Sequence, residues 1–280
     1  MPDKWWDAST VAVVTGANKG IGFEIARLLA EAGLSVVLTS RSEERGAAAL
    51  AKLAGGSTAG GAALAVEYRQ LDIASPASVA AFAEWLSDAK GGRLDVLVNN
   101  AGIAFKGSTF GADEAAATIA TNFGGTRAAC EALAPLLAPG GRIVNVSSSS
   151  GLLRGIPSEQ LRARFDAPSG GVDELVQLGN AFVADVQAGR HAEAGWPNSM
   201  YGVSKALESS YTRLLAKELA PRGIMVNACC PGYCATDMSS WRGTQSAAAG
   251  ADTPVWLALT PPEDFKTGGF YRDRTLQSWT

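Results

Sequence analysis

The chain has 280 residues, a formal net charge of −3 and hydrophobic side chains at 47% of positions. That length is ample for a sizeable buried core, and the small acidic excess gives no electrostatic case for nucleic acid or an anionic membrane as a partner. Four cysteines (Cys130, Cys229, Cys230, Cys234) and a lone histidine, His191, lack the spacing of a zinc set, so no metal site is expected.

In chain order, short apolar runs bounded by Gly, Pro or polar residues predict strands over 11–15, 35–39, 63–70, 94–98, 142–146 and 224–229. A seventh is expected near Gly269-Phe270-Tyr271. Helices are expected over 20–32, 42–54, 76–89, 113–137 and 201–221, the last stopped by Pro221-Arg222-Gly223. Strands this apolar are buried on both faces, as a parallel sheet covered by helices requires. The βαβα alternation predicts an α/β fold with a doubly wound, Rossmann-type parallel sheet and helices on both faces. No repeat or linker interrupts it, so 1–280 is read as one domain, with the Gly/Ala-rich stretch 55–61 as a surface loop. The first strand begins too early to leave room for a signal or transit peptide. No apolar run reaches the roughly 18 to 20 residues of a membrane span. The C-terminal Gln277-Ser278-Trp279-Thr280 matches no retention or peroxisomal signal. A soluble cytoplasmic protein is expected.

Two motifs carry chemistry. The first, Thr15-Gly16-Ala17-Asn18-Lys19-Gly20-Ile21-Gly22, joins the first strand to the first helix. Such a turn lets a pyrophosphate sit against free backbone N–H groups at a helix N-terminus. Gly16 permits the tight turn, Gly20 the approach of the phosphates, and Gly22 close packing of helix on strand. The second strand ends Leu38-Thr39-Ser40-Arg41, where a carboxylate for the ribose of NAD would stand, and none occurs until Glu43. Arg41 and Lys19 can both reach a 2′-phosphate. At about 1.5–3 kcal/mol for each charge-assisted hydrogen bond, they favour NADPH.

The second motif is Tyr201-Gly202-Val203-Ser204-Lys205. Four residues apart on a helix, Tyr201 and Lys205 share a face. A phenol with a pKa of about 10 is a poor acid at neutral pH, and the lysine charge should lower it by stabilising tyrosinate.

With these motifs, together with Asn99-Asn100-Ala101-Gly102, Asn122, Asn145-Val146-Ser147-Ser148 and Pro231-Gly232, the chain resembles the short-chain dehydrogenase/reductase family over nearly its whole length. Within the family it is most similar to the monomeric NADPH-dependent carbonyl reductases, including plant relatives that reduce terpenoid and alkaloid ketones. The resemblance implies a catalytic tetrad of Asn122, Ser148, Tyr201 and Lys205. Tyr201 would protonate the carbonyl oxygen of a small-molecule substrate as hydride arrives, and Ser148 would hydrogen-bond that oxygen. Asn122 would anchor a proton-relaying water, and Lys205 would also hold the cofactor's ribose. Ser147 and Ser149 remain alternatives to Ser148, and Asn122 could instead cap or kink its helix. Cofactor contacts are implied at Gly16, Asn18, Lys19, Gly20, Ile21, Gly22, Arg41, Asp72 and Ile73 (adenine) and Asn100 (nicotinamide side). Tyr201, Lys205, Pro231, Gly232 and Thr236 (carboxamide) complete that set. Asn99 reads as a sheet-stabilising residue.

One departure narrows the family. Most members have about a dozen residues between the serine and the tyrosine, whereas 52 separate Ser148 from Tyr201 here. Within this insertion, about 152–196, a short helical patch over 159–165 precedes an amphipathic run containing Val172, Leu175, Val176, Leu178, Phe182, Val183 and Val186. In the carbonyl reductases it resembles, such a segment covers the surface that others use to tetramerise, implying a monomer; a mobile lid is the competing reading. Phe105, Leu152, Trp196, Tyr233, Met238 and Trp241 are expected to wall an apolar substrate pocket. Lys106 and Cys230 are read as a solvated cation and an inert buried thiol. The same residues serve alcohol oxidation in reverse, and a non-catalytic dinucleotide sensor is the rival of a different class.

Overall fold

The computed structural model describes residues 4–107 and 109–280. Its frame is a single eight-stranded sheet in the order β3-β2-β1-β4-β5-β6-β7-β8, parallel except for the antiparallel β8. In chain order these are β1 (Val11–Val14), β2 (Ser35–Ser40), β3 (Val66–Gln70), β4 (Leu94–Asn99), β5 (Leu137–Val146), β6 (Met225–Cys230), β7 (Phe270–Arg272) and β8 (Thr275–Gln277). The helices are α1 (Gly20–Glu31), α2 (Glu43–Leu53), α3 (Pro76–Ala89), α4 (Ala112–Ile119), α5 (Thr126–Leu133), α6 (Glu159–Asp166), α7 (Gly171–Gln187), α8 (Met200–Leu219) and α9 (Ala247–Leu259).

The strands divide their side chains between two layers, as period-2 alternation dictates. Val11, Val13, Val37, Leu97, Ile143 and Val226 face a core built with α3, α4, α5, α7 and α8. Ala12, Val14, Val36, Leu38, Val96, Val98 and Val144 face the opposite core, built with α1, α2 and α9. Among the described residues, no helix is long and apolar enough to cross a membrane.

The expected elements are present, with three differences. The expected helix over 113–137 is broken: a π-helical segment, Ala120–Gly125, separates α4 from α5, and a 3-10 turn, Ala134–Leu136, follows. The expectation contained no α9. Pro254 lies inside it, where proline ordinarily argues against a helix, and its apolar residues are not confined to one stripe. Nor did it contain β8, a three-residue strand joined to β7 by a two-residue hairpin turn, Asp273 and Arg274, both at positive φ without a glycine.

α6 and α7 form where the long interval predicts them. Leu175, Leu178, Phe182 and Val186 bury one face of α7, and a Cβ added at Gly179 would stand 3.0 Å from Ile119 of α4 and 3.3 Å from Leu207 of α8. Trp196 closes this layer edge-on to Phe165 and Phe182, its indole N–H donating to Asp185 at 2.9 Å.

The turn between α6 and α7 is fixed by Glu174. Its carboxylate accepts from Arg164 Nε at 2.8 Å, Gly170 N at 3.0 Å and Ser169 Oγ at 3.1 Å. Arg164 and the Gly170 N–H hold that carboxyl down to about 2. Because the folded state depresses it, its stabilisation is present above the unfolded value of about 4.3 and is lost as pH falls toward the folded one. We expect Glu174→Gln to lower the melting temperature by a few degrees at neutral pH, a deficit that closes between about pH 4.5 and 2. Thermal scans of both proteins across that range check it.

Candidate active site

The cofactor side of the site starts from backbone geometry. Gly16 and Gly20 adopt φ of +62° and +59°, a left-handed conformation that side chains disfavour. A Cβ at Gly16 would lie 2.8 Å from Ala101 Cα. One at Gly22 would overlap the Asn100 amide and stand 2.7 Å from the Gly16 carbonyl oxygen. Lys19, the N-cap of α1, makes no side-chain capping bond, so the first N–H groups of that helix are left for an anion.

This turn opens on a cleft of about 490 Å³ that also takes in Asn18, Lys19, Ile21, Arg41, Ser42, Arg45, Asp72, Ile73, Asn100, Gly102, Thr121, Thr236, Met238 and Trp241. A channel walled by glycine backbone at one helix N-terminus and by two arginines at the end of β2 fits a dinucleotide carrying an extra phosphate. Arg45 is absent from the sequence expectation. The signal was present, since Arg41 and Arg45 bracket the N-cap Ser42 and first turn of α2 and so reach the same mouth.

Several expected residues take more definite places. Lys19 pairs with Asp237 across the cleft, with both side chains about half exposed. The Asn100 amide donates to the carbonyls of Thr15 at 3.0 Å and Gly16 at 3.2 Å, so it braces the glycine turn. Asp72 and Ile73 line the cleft, and the Asp72 carboxylate accepts from Ala74 N at 3.0 Å. Pro231 and Gly232 stand outside the cleft lining. Their turn, with Gly232 at φ +81°, carries the chain toward Thr236, which does line it. Asn99 belongs to the sheet: its amide donates to Asn145 Oδ1 at 2.8 Å, and Asn145 donates to Thr212 Oγ1 at 2.8 Å, tying β4 and β5 to α8.

The candidate tetrad assembles where β5 and α8 meet. A Cβ at Gly151 would stand 2.5 Å from the Lys205 carbonyl carbon, and one at Gly202 would stand 2.9 Å from the Ser150 carbonyl oxygen. Only bare backbone allows the serine loop to approach α8 so closely, which places the Ser148 hydroxyl near enough to the Tyr201 phenol to favour its ionised form slightly. Ser147 is buried and turned away, paired with Ser209 Oγ at 2.8 Å.

Asn122 is fully buried in the π-helical segment, which turns its amide inward. Its Oδ1 accepts from Ile103 N at 2.8 Å, and its Nδ2 donates to Ile103 O at 2.9 Å and Ser204 Oγ at 3.0 Å. Gly102 links the two halves of the site. It lines the cleft, and a Cβ there would stand 3.1 Å from Asn122 Oδ1 and 3.9 Å from Lys205 Nζ.

Lys205 acts on the tyrosine in the expected direction but does not set the net result. Burial pushes the Tyr201 phenol above its ordinary value, Lys205 opposes that, and Glu208 reinforces it. Glu208 is a buried carboxylate that the sequence reading passed over, although it lies three residues past Lys205 on the same helical face. Lys205 Nζ donates to Glu208 Oε2 at 2.6 Å and to the Val146 carbonyl at 2.8 Å.

Two expected pocket walls are corrected. Leu152 and Trp196 are 4% and 3% exposed, because Leu152 packs on Ala228, Cys230 and Phe270 and Trp196 joins the layer under α7. Phe105, Tyr233, Met238 and Trp241 stay exposed, and Met238 and Trp241 rim the cleft. Cys230 is buried.

Residues 10–159 match the family model described as short chain dehydrogenase, and 182–262 match one described as Enoyl-(Acyl carrier protein) reductase. The chain belongs to the short-chain dehydrogenase family. The interval between the two matches carries nearly all of α6 and the first part of α7. The chain is 46% identical to mouse (Mus musculus) carbonyl reductase (NADPH) 1 over 279 residues, 96% of this chain and 98% of the relative. Among solved structures, salutaridine reductase from Papaver somniferum superposes with a TM-score of 0.84 at 30% identity, covering 94% of this chain and 99% of the other. Menthone neomenthol reductase from Mentha piperita gives 0.79 at 34% identity, covering 93% and 97%.

Because a methyl at Gly22 meets backbone and a committed amide, Gly22→Ala is expected to destabilise the protein by about 2 kcal/mol or more. A drop of several degrees in melting temperature, against little change for Ala at the open Gly155, which is not at positive φ, checks it.

Proposed function

We propose that the protein is a monomeric, cytoplasmic NADPH-dependent carbonyl reductase, a single catalytic domain that reduces ketones or aldehydes of apolar or aromatic character. The observation that carries this reading is the Tyr201–Ser148–Lys205 cluster, joined through Gly102 to a cleft with a glycine turn at one end and paired arginines beside it. The relatives above, all named as reductases, support it.

The backbone of Gly16, Asn18, Gly20, Ile21 and Gly22 binds the pyrophosphate, and Asn100 keeps that turn in shape. Arg41 and Arg45 would hold the 2′-phosphate, with Lys19 as a further cation of the same cleft. Asp72 and Ile73 hold the adenine, and Thr236, placed by the Pro231-Gly232 turn, holds the carboxamide. NADPH bound there supplies the hydride for the substrate's carbonyl carbon.

The rest of the chemistry belongs to this chain. Ser148 donates a hydrogen bond to the carbonyl oxygen, stabilising the charge that grows on it. Tyr201 gives that oxygen its proton, and Lys205 stabilises the phenolate left behind. Asn122, immobilised in its π-helical segment, anchors the water through which the proton is replaced. The exposed side chains of Phe105, Tyr233, Met238 and Trp241 suit an apolar or aromatic substrate. The packing of α7 over α4 and α8 supports the monomer, and the four buried, free cysteines suit a reducing compartment.

The test follows cofactor oxidation across quinones, aromatic aldehydes, keto esters and monoterpene ketones. NADPH should be consumed far faster than NADH, and Tyr201→Phe should cost about a hundredfold to ten-thousandfold in turnover. Arg41→Ala and Arg45→Ala should each raise the KM for NADPH about tenfold or more, with NADH little changed. Silence across the panel with NADPH still tightly bound would favour a dinucleotide sensor instead. Light scattering at a mass above one chain would refute the monomer.

A further inference from the structure

The least expected group near the tetrad is Glu208. Its side chain is 1% exposed and that of Lys205 4%, and Nζ lies 2.6 Å from Oε2. The other carboxylate oxygen, Oε1, is buried without a hydrogen-bond partner among the described residues. A carboxylate so placed costs several kcal/mol in desolvation unless its partner is close and charged. Lys205 is that partner, and the same ammonium is the group that supports Tyr201.

The groups facing this pair are few. On α8 they are Tyr201 and Lys205 themselves, together with the neutral Ser209 and Thr212. From β6 come the thiols of Cys229 and Cys230, from α5 that of Cys130, and from β4 and β5 only the neutral amides of Asn99 and Asn145. Burial pushes Cys130 up to about 12 and Cys229 well above its usual value. Glu208 is thus the negative charge that faces the Tyr201–Lys205 pair from within the fold.

We propose that Glu208 is a positioning residue of the proton-donating set: it holds Lys205 Nζ against the Val146 carbonyl and offsets part of the lysine's charge at the Tyr201 phenol, extending reduction further into alkali than an uncompensated Tyr–Lys pair would allow. This rests on the carbonyl reductase reading and deepens it.

The sign follows from the reduction step, which needs Tyr201 protonated and Lys205 charged. Above some pH the coupled pair loses its first proton, and the rate of reduction falls there. A neighbouring carboxylate makes that loss harder whichever partner gives up the proton, because the charge left behind is less positive. Removing the carboxylate therefore moves the alkaline limb to lower pH, whether the lost proton comes from the phenol or the ammonium.

The experiment compares Glu208→Gln, which keeps the carboxylate's size and one acceptor oxygen for Lys205, and Glu208→Leu with the parent protein. Two readouts are taken. The first is the pH profile of kcat/KM for ketone reduction by NADPH. The second is the tyrosinate absorbance of the NADPH-free protein, as its difference from the corresponding Tyr201→Phe variant.

We expect the alkaline limb to shift down by about one pH unit or more in both variants, so that the ratio of variant to parent rate is about tenfold lower above the limb than near pH 6. The tyrosinate signal should appear at correspondingly lower pH. Limbs and titration unmoved in folded variants, with a rate loss equal at every pH, would overturn the proposal and leave the reductase reading intact. A shifted titration in a protein that turns over no carbonyl would support Glu208's influence on Tyr201 and sink the reductase reading.

Discussion

An ammonium group held at 4% exposure, between the Val146 carbonyl and the Glu208 carboxylate, is the constraint around which this molecule is arranged. A buried charge is tolerated only with a close partner and saturated hydrogen bonds, and each neighbour of Lys205 serves that need. The Val146 carbonyl is free at the end of β5 because the strand stops there. Ser147 continues past it to hydrogen-bond the Lys205 carbonyl and Ser209, closing the seam between strand and helix. A Cβ at Gly151 would collide with the Lys205 backbone, and one at Gly102 would crowd Asn122 Oδ1 at 3.1 Å beside the lysine.

The same seam connects stability to chemistry. The Asn99–Asn145–Thr212 chain of hydrogen bonds, fully internal, sets the height of α8 against the sheet. With that height fixed, Tyr201 arrives beside Ser148. On the other side of the helix, α7 covers what would otherwise be an apolar face, so the inserted helices stabilise the element that carries both the tyrosine and the lysine. Their own turn depends on the Glu174 clamp.

Charge is distributed with equal economy in the cleft. Lys19, one residue before α1, is engaged by Asp237 from the loop after β6, which links the two banks over the glycine turn. Arg41 and Arg45 have no such partner among the described residues and remain available at the mouth. A pair half exposed to water is worth no more than about 1 kcal/mol, so an incoming phosphate competes with Asp237 for Lys19 at little cost.

Much of this was legible in the sequence because it rests on local rules. The apolar runs that became β1, β2, β4 and β6 had to be buried on both sides. The glycine spacing after β1 had to make a turn, and the period of Leu175, Leu178, Phe182 and Val186 had to make a helix. Tyr201 and Lys205 were bound to share a face once α8 formed. Other features depended on contacts between distant segments. α9 forms despite Pro254 because α1 and the sheet bury it, a gain in packing that outweighs one lost hydrogen bond. Trp196 and Leu152 are apolar residues that could wall a pocket as easily as fill a core, and only their neighbours decided for the core. Ser147 could be told from its neighbours only once α8 lay against the loop and paired it with Ser209. Glu208 could be counted on the face of α8, but whether that face met water or a buried ammonium depended on the depth at which the helix seats. The sequence determined which side chains were offered to the site, since spacing along a strand or helix is a covalent matter. The tertiary structure alone decided the charge balance around Tyr201, because an electrostatic shift depends on burial and distance, and those exist only once the sheet and α8 are packed.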